Sequence, residues 1–370
     1  MKKIVGAIAI ALIGCLLFSG CGNTGGGANS QAGDASDLVV GFVYVGSASD
    51  QGWTNMHDQA RIELEQQLGV KTIYKESVSD ENADVEKAMR DMINGQNAKV
   101  IFATSYGYMN YVEKISKEFP DVKFYHCSGY KSGSNLISYF GRMYQARYLA
   151  GILAGKASET GKIGYVAAMP IPEVIRGINA FTQGVRSVNP DATVSVRWTN
   201  TWYDPAVEKT AAESLIAQEG VDLLAQHQDS PATQTAAKEH GVYVIGYDCD
   251  TPETAVGSYL TAAIWDWSAY YINQVKSVIE GSYKSENYWG SMSDGIVALA
   301  PFTDLVTAEM KSAVDDAEER IVGGTWDVFT GPIKDQNGVV KVPEGNTMTD
   351  EELMNFNWFV EGVVGSIPSN

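Results

Sequence analysis

The sequence predicts a two-lobed α/β protein in which each lobe contains a parallel sheet covered by helices. From Leu38 onward, short runs rich in β-branched residues alternate with amphipathic segments that are long enough for helices. The same alternation restarts near Lys162. A folded body of about 330 residues also exceeds the size that one hydrophobic core usually supports, so a division into two lobes is expected.

The alternation defines the elements in order along the chain. Strands are predicted over 38–45, 71–75, 100–104, 122–127 and 136–140, and, after the restart, over 193–200, 223–226, 243–247 and 258–264. Helices are predicted over 53–68, 82–94, 109–119 and 144–158. These elements predict an amino-terminal lobe over 38–160 and a carboxyl-terminal lobe over 161–290. Residues 291–370 are expected to supply crossing segments and a tail that complete both lobes.

The first 20 residues are predicted to be a signal peptide. Lys2 and Lys3 precede an uncharged apolar run of about 15 residues, which is shorter than the roughly 20 that a membrane-spanning helix needs. Ser19 and Gly20 come directly before Cys21, an order that resembles the lipobox of bacterial lipoproteins. The resemblance implies a palmitate-type lipid anchor on Cys21. The alternative is an ordinary signal peptide in which Cys21 is incidental.

Residues 21–37 are predicted to form a flexible tether, because Gly, Ser and Asn dominate there without apolar periodicity. No later stretch is long and apolar enough to span a membrane. The mature protein is therefore expected at the outer face of the cytoplasmic membrane, held there by its lipid, or on the periplasmic side where two membranes are present.

The charge of the mature chain argues against nucleic acid as a partner. The chain has 27 basic and 45 acidic residues, and removal of Lys2 and Lys3 with the signal peptide leaves 25 basic residues and a net charge of −20. Nucleic-acid binding needs clustered Lys and Arg, and the sequence contains neither a basic run nor a basic helix. The acidity is typical of a solvated surface.

Two cysteines, Cys127 and Cys249, remain in the folded body once Cys15 and Cys21 are set aside. They follow different predicted strands, so we expect two unpaired, partly buried thiols, although an exported protein also permits a disulfide.

Aromatic and acidic residues recur at the carboxyl ends of the predicted strands. In open α/β sheets, ligands bind beyond these ends, so two facing sheets would form a cleft lined by the strand-end loops. Indole faces supply stacking and carboxylates accept hydrogen bonds from N–H groups, which suits a flat, neutral ligand with hydrogen-bonding edges. The candidates are Asp50 and Trp53 in the first loop, then Trp202, Asp229, Asp248 and Trp265 in later loops.

No catalytic constellation is found in the sequence. It lacks G-x-S-x-G, H-E-x-x-H, G-x-x-x-x-G-K-[ST] and C-x-x-C motifs, so no enzymatic activity, metal or cofactor is predicted. Asp250 is interpreted as a helix cap and not as the partner of Asp248 in acid–base chemistry. Each histidine is expected to be an ordinary surface or hydrogen-bonded residue, since none falls at metal-ligand spacing; these are His57, His126, His227 and His240.

Seven motifs are spread along the chain: Val-Gly-Phe-Val-Tyr-Val, Asp-Gln-Gly-Trp, Phe-Pro-Asp-Val-Lys-Phe, Tyr-Gln-Ala-Arg-Tyr-Leu-Ala-Gly, Gly-Ile-Asn-Ala-Phe, Val-Asn-Pro-Asp and Asn-Thr-Trp-Tyr-Asp-Pro. In these motifs the chain from Leu38 to about Pro332 resembles the basic membrane protein family. These lipoproteins are substrate-binding components of ABC importers for purine nucleosides and related compounds. The resemblance implies a type I periplasmic-binding-protein fold, with two doubly wound parallel-sheet lobes joined by a hinge and closing around a ligand.

The resemblance also assigns roles to the candidate residues. Asp50 and Trp53 would hold one side of a base, Trp202 would cover the other side, and Asp248 would contact sugar hydroxyls. Trp265 stands where nucleoside receptors of the family have a Lys that helps to hold ribose, and an indole cannot donate as an ammonium does. We therefore expect a free purine base such as adenine as the ligand, with a purine nucleoside as the alternative.

The partners that the resemblance implies are an ABC permease and separate ATPase subunits, with the receptor itself a monomer. An extracellular sensing subunit that docks on a signalling receptor would show the same sequence features and remains open. A nucleoside hydrolase is less favoured, because such enzymes use Asp-rich metal loops near the N-terminus and the first loop supplies one carboxylate, Asp50.

Overall fold

The computed structural model describes residues 35–368, and these residues form two lobes. Cys21, the predicted signal peptide and residues 21–34 of the predicted tether lie outside the described residues, so the lipid anchor stays a prediction. Within 35–368, no helix combines the length and apolar character needed to cross a bilayer.

The amino-terminal part of the fold alternates strands with helices up to a fifth strand and then enters a long buried helix. In chain order the elements are β1 (Val39–Val43), α1 (Trp53–Leu68), β2 (Lys71–Lys75), α2 (Asp84–Arg90), β3 (Val100–Ala103), α3 (Met109–Glu118), β4 (Lys123–Cys127), β5 (Leu136–Gly141) and α4 (Met143–Ala157).

The remaining chain repeats the alternation and ends in several short strands. Its elements are β6 (Lys162–Ala167), α5 (Pro172–Val188), β7 (Thr193–Trp198), α6 (Pro205–Ser214), β8 (Leu223–His227), α7 (Ala232–His240), β9 (Tyr243–Asp248), β10 (Tyr259–Trp265), α8 (Ser268–Ile279), β11 (Tyr288–Gly290), β12 (Val297–Leu299), α9 (Ala308–Val322), β13 (Ile333–Lys334), β14 (Val340–Val342), α10 (Asp350–Met354) and β15 (Val363–Val364).

Each lobe is built on one sheet, and the two sheets have closely related strand orders. The first runs β2-β1-β3-β4-β5-β11 and the second runs β15-β7-β6-β8-β9-β10-β12. All pairings in these two sheets are parallel except that of β10 with β12, while β13 and β14 form a separate antiparallel pair. The order reverses at β1 in the first sheet and at β6 in the second, which are the positions where open α/β sheets bind ligands.

Helices cover both faces of each sheet and bury the apolar runs of the strands between them. In the first lobe, α1 and α8 pack on one face, and α2 and α3 pack on the other. In the second lobe, α4 and α5 pack on one face, and α6 and α7 pack on the other. Because both faces are covered, the parallel strands are almost continuously buried, as is typical of this architecture.

Three segments join the lobes, between β5 and α4, between β10 and α8, and between β11 and β12. Phe140, Trp265 and Trp267 pack together beside these segments, with the two indoles stacked at a centroid distance of 4.6 Å. The joint is therefore an aromatic hinge shared by both lobes.

The sheets divide the chain differently from the predicted lobes. Helix α4 falls within 38–160 but belongs to the second lobe, because its backbone lies directly against α5: a Cβ atom on Gly184 would lie 2.0 Å from the carbonyl oxygen of Tyr148. Helix α8 and strand β11 fall within 161–290 but belong to the first lobe, where β11 pairs with β5. In the tail, β12 and β15 both extend the second sheet and neither extends the first.

The bounds of the predicted elements agree well with the structure where the pattern is strong. The helix over 53–68 and the strand over 71–75 have the predicted ends, and the helix predicted over 82–94 is α2 followed by a π-helical turn at Asp91–Gly95. Cys127 and Cys249 are unpaired, as predicted, and both are buried.

Candidate ligand-binding site

A small cavity lies between the lobes at the carboxyl ends of the parallel strands. The free space inside it is about 30 Å³, room for about one or two water molecules, so a larger ligand requires the wall side chains to move apart. Each lobe supplies five lining residues. The first lobe contributes Val45, Trp53, Ser105, Tyr106 and Ser128, and the second contributes Glu173, Trp202, His227, Asp229 and Tyr247.

Trp53 begins helix α1 and forms the aromatic part of the first-lobe wall. Its indole Nε1 donates to the carbonyl oxygen of Thr104 at 2.6 Å, which fixes the ring against the end of β3. Trp265 and Trp267 meet the ring edge-on at centroid distances of 5.7 Å. The indole is thus held rigidly, with its polar edge satisfied inside its own lobe.

Asp50 was expected to hold a base, but its carboxylate is engaged in shaping the loop. Oδ1 accepts from the backbone N–H groups of Gly52 at 2.8 Å and Asn55 at 2.9 Å, and Oδ2 accepts from the N–H of Thr54 at 3.0 Å. Burial raises the pKa of the Asp50 carboxyl, and these backbone bonds act in the opposite direction. Asp50 is not among the residues that line the cavity. The N-cap position of α1 is Gly52, and the Asp50 side chain, two residues before it, accepts from free N–H groups at the start of the helix.

Trp202 lies on the opposite wall, in the loop after β7. It is partly buried and lines the cavity. Its carbonyl oxygen accepts from the N–H of Asp229 at 3.1 Å, which joins two loops of the second lobe. Asp204 caps α6 by accepting from the N–H groups of Ala206 and Val207, each at 3.1 Å, and so fixes where the loop ends. The cavity therefore has an indole on each lobe.

Asp229 presents a carboxyl group with no protein partner among the described residues. It lines the cavity, its residue is 8% exposed, and its side chain makes no hydrogen bond or ion pair. Burial raises the pKa of the Asp229 carboxyl well above its ordinary value, and the nearby acidic groups Asp248, Asp50, Glu208 and Glu173 raise it further. A buried polar group that no protein atom satisfies is expected to meet a ligand.

Asp248 lies behind the cavity wall and does not line it. Its backbone has a φ of 69°, a left-handed conformation that is uncommon for residues other than glycine. Trp265 Nε1 donates to Asp248 Oδ1 at 3.1 Å, whereas Oδ2 is buried without a partner. Trp265 is fully buried, so this residue orients Asp248 and fills the hinge.

Sequence reasoning did not identify Arg147, a fully buried residue of α4 beneath the second-lobe wall. Its Nη1 donates to the carbonyl oxygen of Gln226 at 2.6 Å, and its guanidinium lies over the ring of Tyr247 at 3.8 Å from the centroid. Nε and Nη2 have no partner within the described part of the chain. The only available signal was a charged residue inside an otherwise apolar helical run.

Sequence reasoning also missed His227 and Glu173 as site residues, because they come together only when the end of β8 meets the start of α5. His227 was expected to be an ordinary surface or hydrogen-bonded histidine, but it is buried on the cavity wall with Nε2 at 3.6 Å from Glu173 Oε1. Burial lowers the pKa of His227 to about 4, so the ring is neutral at pH 7. Its Nδ1 atom has no partner among residues 35–368.

Two contacts across the cleft show that the lobes are closed. A Cβ atom on Gly52 would lie 2.2 Å from the carbonyl oxygen of Asp229, so only glycine permits this approach. Cys249 Sγ donates to the carbonyl oxygen of Gln51 at 2.6 Å. Gln51 has a φ of 61°, which turns its carbonyl group toward the second lobe.

A wider cleft that opens to solvent adjoins the cavity and shares three of its lining residues, Tyr106, Ser128 and Glu173. Within the described range of the chain, no three or more His, Cys, Asp or Glu residues are grouped so that they could hold a metal ion.

Comparison with known proteins gives a consistent assignment. Residues 38–326 match the family model described as "Bmp: ABC transporter substrate-binding protein PnrA-like". The chain is 42% identical to the purine-binding protein BAB2_0673 of Brucella abortus, over 93% of this chain and 97% of that protein. It is 39% identical to the putative ABC transporter glucose-binding protein TsgA13 of Haloferax volcanii, over 94% of this chain and 84% of that protein.

Solved structures confirm the fold that the resemblance implied. An ABC transporter solute-binding protein from Aeropyrum pernix has a TM-score of 0.71 at 18% identity, covering 86% of this chain and 98% of its own. A second solute-binding protein, from Conexibacter woesei, has a TM-score of 0.64 at 20% identity, covering 78% and 98%. The two doubly wound parallel-sheet lobes are therefore those of a type I periplasmic-binding protein.

Proposed function

The chain belongs to the Bmp family of PnrA-like ABC transporter substrate-binding proteins, and on that premise we propose that it binds a purine, held between Trp53 and Trp202. The observation that carries this proposal is the pair of indoles on opposite lobes of one small cavity. Stacking on an aromatic side chain is worth about 1 to 3 kcal/mol per base. Asp229, whose side chain makes no hydrogen bond within residues 35–368, supplies a polar group for the edge of the ring.

The names of relatives support the same ligand class. The Brucella protein, at 42% identity, is named as purine-binding, and a Lactococcus lactis relative at 24% identity is named as nucleoside-binding. We favour a free base over a nucleoside. Trp265 already occupies one oxygen of Asp248 and fills the hinge beside it, and this supports a pocket without room or an ammonium partner for ribose.

A sugar is the second candidate, because the Haloferax relative at 39% identity is named as a putative glucose-binding protein. Aromatic faces together with carboxylates also suit a sugar ring, whose hydroxyl groups donate to acidic side chains. An indole on each lobe offers two aromatic faces, which favours the flatter ligand.

Native mass spectrometry of freshly purified protein would identify a retained ligand. Calorimetric titration with adenine, guanine, adenosine, inosine and glucose then ranks the candidates. We expect a purine base to bind most tightly, and we expect Trp202→Ala to weaken it by about tenfold. Adenosine binding more than tenfold tighter than every free base would contradict the free-base proposal, and glucose binding without any purine would replace it.

We further propose that Cys21 carries a lipid that holds the receptor beside an ABC permease and its separate ATPase subunits. Labelling with a clickable palmitate analogue is expected to mark the wild-type chain and not the Cys21→Ser variant. A Cys21→Ser protein that keeps both the label and its membrane fraction would contradict the anchor. Co-purification with a permease supports the transport role, whereas co-purification with a signalling kinase would support the sensing alternative.

A further inference from the structure

Asp229 differs from Asp50, Asp248 and Glu208 because its side chain makes no hydrogen bond to any residue that the structure describes. Asp50 accepts three backbone N–H bonds, Asp248 accepts from Trp265, and Glu208 accepts from Ser230 and from the N–H of Asp204. Asp229 makes no side-chain hydrogen bond within 35–368, and its residue is 8% exposed. Its only available neighbour is whatever fills the cavity that it lines.

The surroundings of Asp229 disfavour a negative charge. Acidic groups approach it from four elements: Asp50 from the loop after β1, Asp248 from the end of β9, Glu208 from α6 and Glu173 from α5. The nearby His227 is neutral at pH 7. Two buried cations lie in this region. Arg147 stacks on Tyr247 and acts on Asp248, and Arg176 donates to the carbonyl oxygen of Leu353 and acts on His227. Like charges in a site of low polarity cannot all ionise together.

A neutral carboxyl group and an ionised one recognise different purine edges. The neutral acid has one O–H donor and one carbonyl acceptor, whereas the carboxylate has two acceptors. Adenine carries an amino donor flanked by ring-nitrogen acceptors, so its edges are of the donor–acceptor kind. Guanine has a donor–acceptor edge and also an edge with two adjacent N–H donors, which matches a carboxylate.

Resting on the proposed purine binding, we propose that Asp229 is the residue that determines base specificity, and that it binds adenine as a neutral carboxylic acid. The O–H group donates to a ring nitrogen of the base, and the carbonyl oxygen accepts from the exocyclic amino group. Trp53 and Trp202 supply the stacking, which every base shares. Asp229 supplies the part of the interaction that distinguishes one base from another.

The direction of the pH effect follows from linkage. Burial in the closed site raises the pKa of Asp229 well above its ordinary value, so adenine binding takes up a proton between the pKa of the open protein and that of the complex. The complex with adenine is fully stable at a pH below the pKa of Asp229 in the open protein. This stability is lost as the pH rises toward the pKa of Asp229 in the complex. Adenine affinity is expected to fall by up to about tenfold per pH unit within that window.

Calorimetry from about pH 5.5 to about pH 9, in buffers of different ionisation enthalpy, tests the inference. For the wild type we expect proton uptake on adenine binding, an adenine affinity that falls by tenfold or more across this range, and a smaller fall for guanine. Asp229→Asn keeps one donor and one acceptor but cannot titrate, so its adenine affinity should vary by less than about threefold. Asp229→Ala should bind adenine about tenfold or more weakly than the wild type at acid pH.

The exposed Asp191 provides a matched control: Asp191→Asn should keep the wild-type pH profile. If Asp229→Asn keeps the wild-type slope, another group titrates and the inference is overturned. It is also overturned if wild-type adenine binding is independent of pH while Asp229→Asn weakens it, because Asp229 then binds in its ionised form. Failure of every purine to bind the wild type would overturn the proposed function itself, which is a distinguishable result.

Discussion

On and behind the first-lobe wall of the cavity, the polar groups of Trp53 and Asp50 make their hydrogen bonds inside their own lobe, to backbone groups at 2.6 to 3.0 Å. On the second-lobe wall and directly beneath it, Asp229, His227 Nδ1, Asp248 Oδ2 and two nitrogens of Arg147 have no partner within residues 35–368. Trp53 and Asp50 therefore shape the first-lobe wall, whereas these second-lobe groups are left to interact with a ligand. Variants that alter packing or closure and variants that remove a ligand-binding group should therefore differ in their effects on purine affinity and on melting temperature.

The largest effect is expected from Gly52→Ala, because the added Cβ would meet the backbone of Asp229 at 2.2 Å and would oppose closure. Overpacking costs about 1 to 3 kcal/mol, so purine affinity should fall by up to about a hundredfold. The melting temperature of the ligand-free protein should stay the same, since the open form has no clash. Calorimetry and small-angle scattering would measure both the affinity and the closure.

Gly95→Ala is the matched control, because no atom lies within 4 Å of its Cβ position and the residue is exposed. A Gly52→Ala variant that binds and closes like the wild type would show that the contact between Gly52 and Asp229 does not limit closure.

Removal of the Trp202 indole and removal of the Trp53 indole are expected to have different effects on stability. Trp202→Ala is expected to weaken purine binding by about tenfold with little change in melting temperature, because the Trp202 indole is a partly buried side chain that packs against the core from one side. Trp53→Ala should weaken binding to a similar degree and also lower the melting temperature, since Trp53 packs against His57, Trp265 and Trp267. Equal melting temperatures for both variants would contradict the division of roles between the walls.

Asp50→Ala should act mainly on stability. Loss of a side-chain acceptor at the start of a helix costs about 0.5 to 2 kcal/mol, and here three backbone N–H groups lose their acceptor. Chemical denaturation should show this loss, and Asp50→Asn should recover part of it. A large loss of purine affinity in Asp50→Asn with unchanged stability would instead indicate direct contact with the ligand.

The smallest effect is expected from Cys249, whose thiol donates to the carbonyl oxygen of Gln51 across the cleft. Cys249→Ala removes that donor and should weaken purine binding by about two- to fivefold, in keeping with one neutral hydrogen bond of about 0.5 to 1.5 kcal/mol. Cys249→Ser retains a donor and should lie closer to the wild type. If calorimetry shows that Cys249→Ser binds purine more weakly than Cys249→Ala, the thiol contributes through packing and not through its hydrogen bond.

Local periodicity was enough to predict the longer strands of both sheets and the helix over 53–68, because alternation and amphipathic spacing are properties of neighbouring residues. The short strands β11, β12 and β15 were not predicted. The division into lobes was not local. Helix α4 joins the second lobe through the close approach of Gly151 and Gly184 to the facing helix backbones, and β11 reaches the first sheet after the chain has crossed the hinge twice. Neither contact leaves a periodic signal.

The candidate site likewise could be predicted from the sequence only in part. Trp53, Trp202 and Asp229 line the cavity, as their places after strands suggested. Asp50 lies three residues before the start of α1, where an acidic side chain can accept from the first helical N–H groups, although the ligand role was preferred. Asp248 and Trp265 lie behind the wall, and His227 and Glu173 lie on it. Which side of a strand-end loop faces the cavity depends on tertiary packing, which spacing alone does not encode.

Strand β11 comes late in the chain, and its position affects the order in which the two lobes can fold during synthesis. The first sheet lacks its edge strand, and α1 lacks its neighbour α8, until Gly290 has been synthesised. The second lobe is completed later still, when β12 and β15 join its sheet. A nascent chain that carries only the first 160 residues therefore leaves the α8-facing surface of its sheet uncovered. Because both sheets are completed late, the chain is expected to remain incompletely folded through most of its synthesis. Passage through an export channel requires such an unfolded chain.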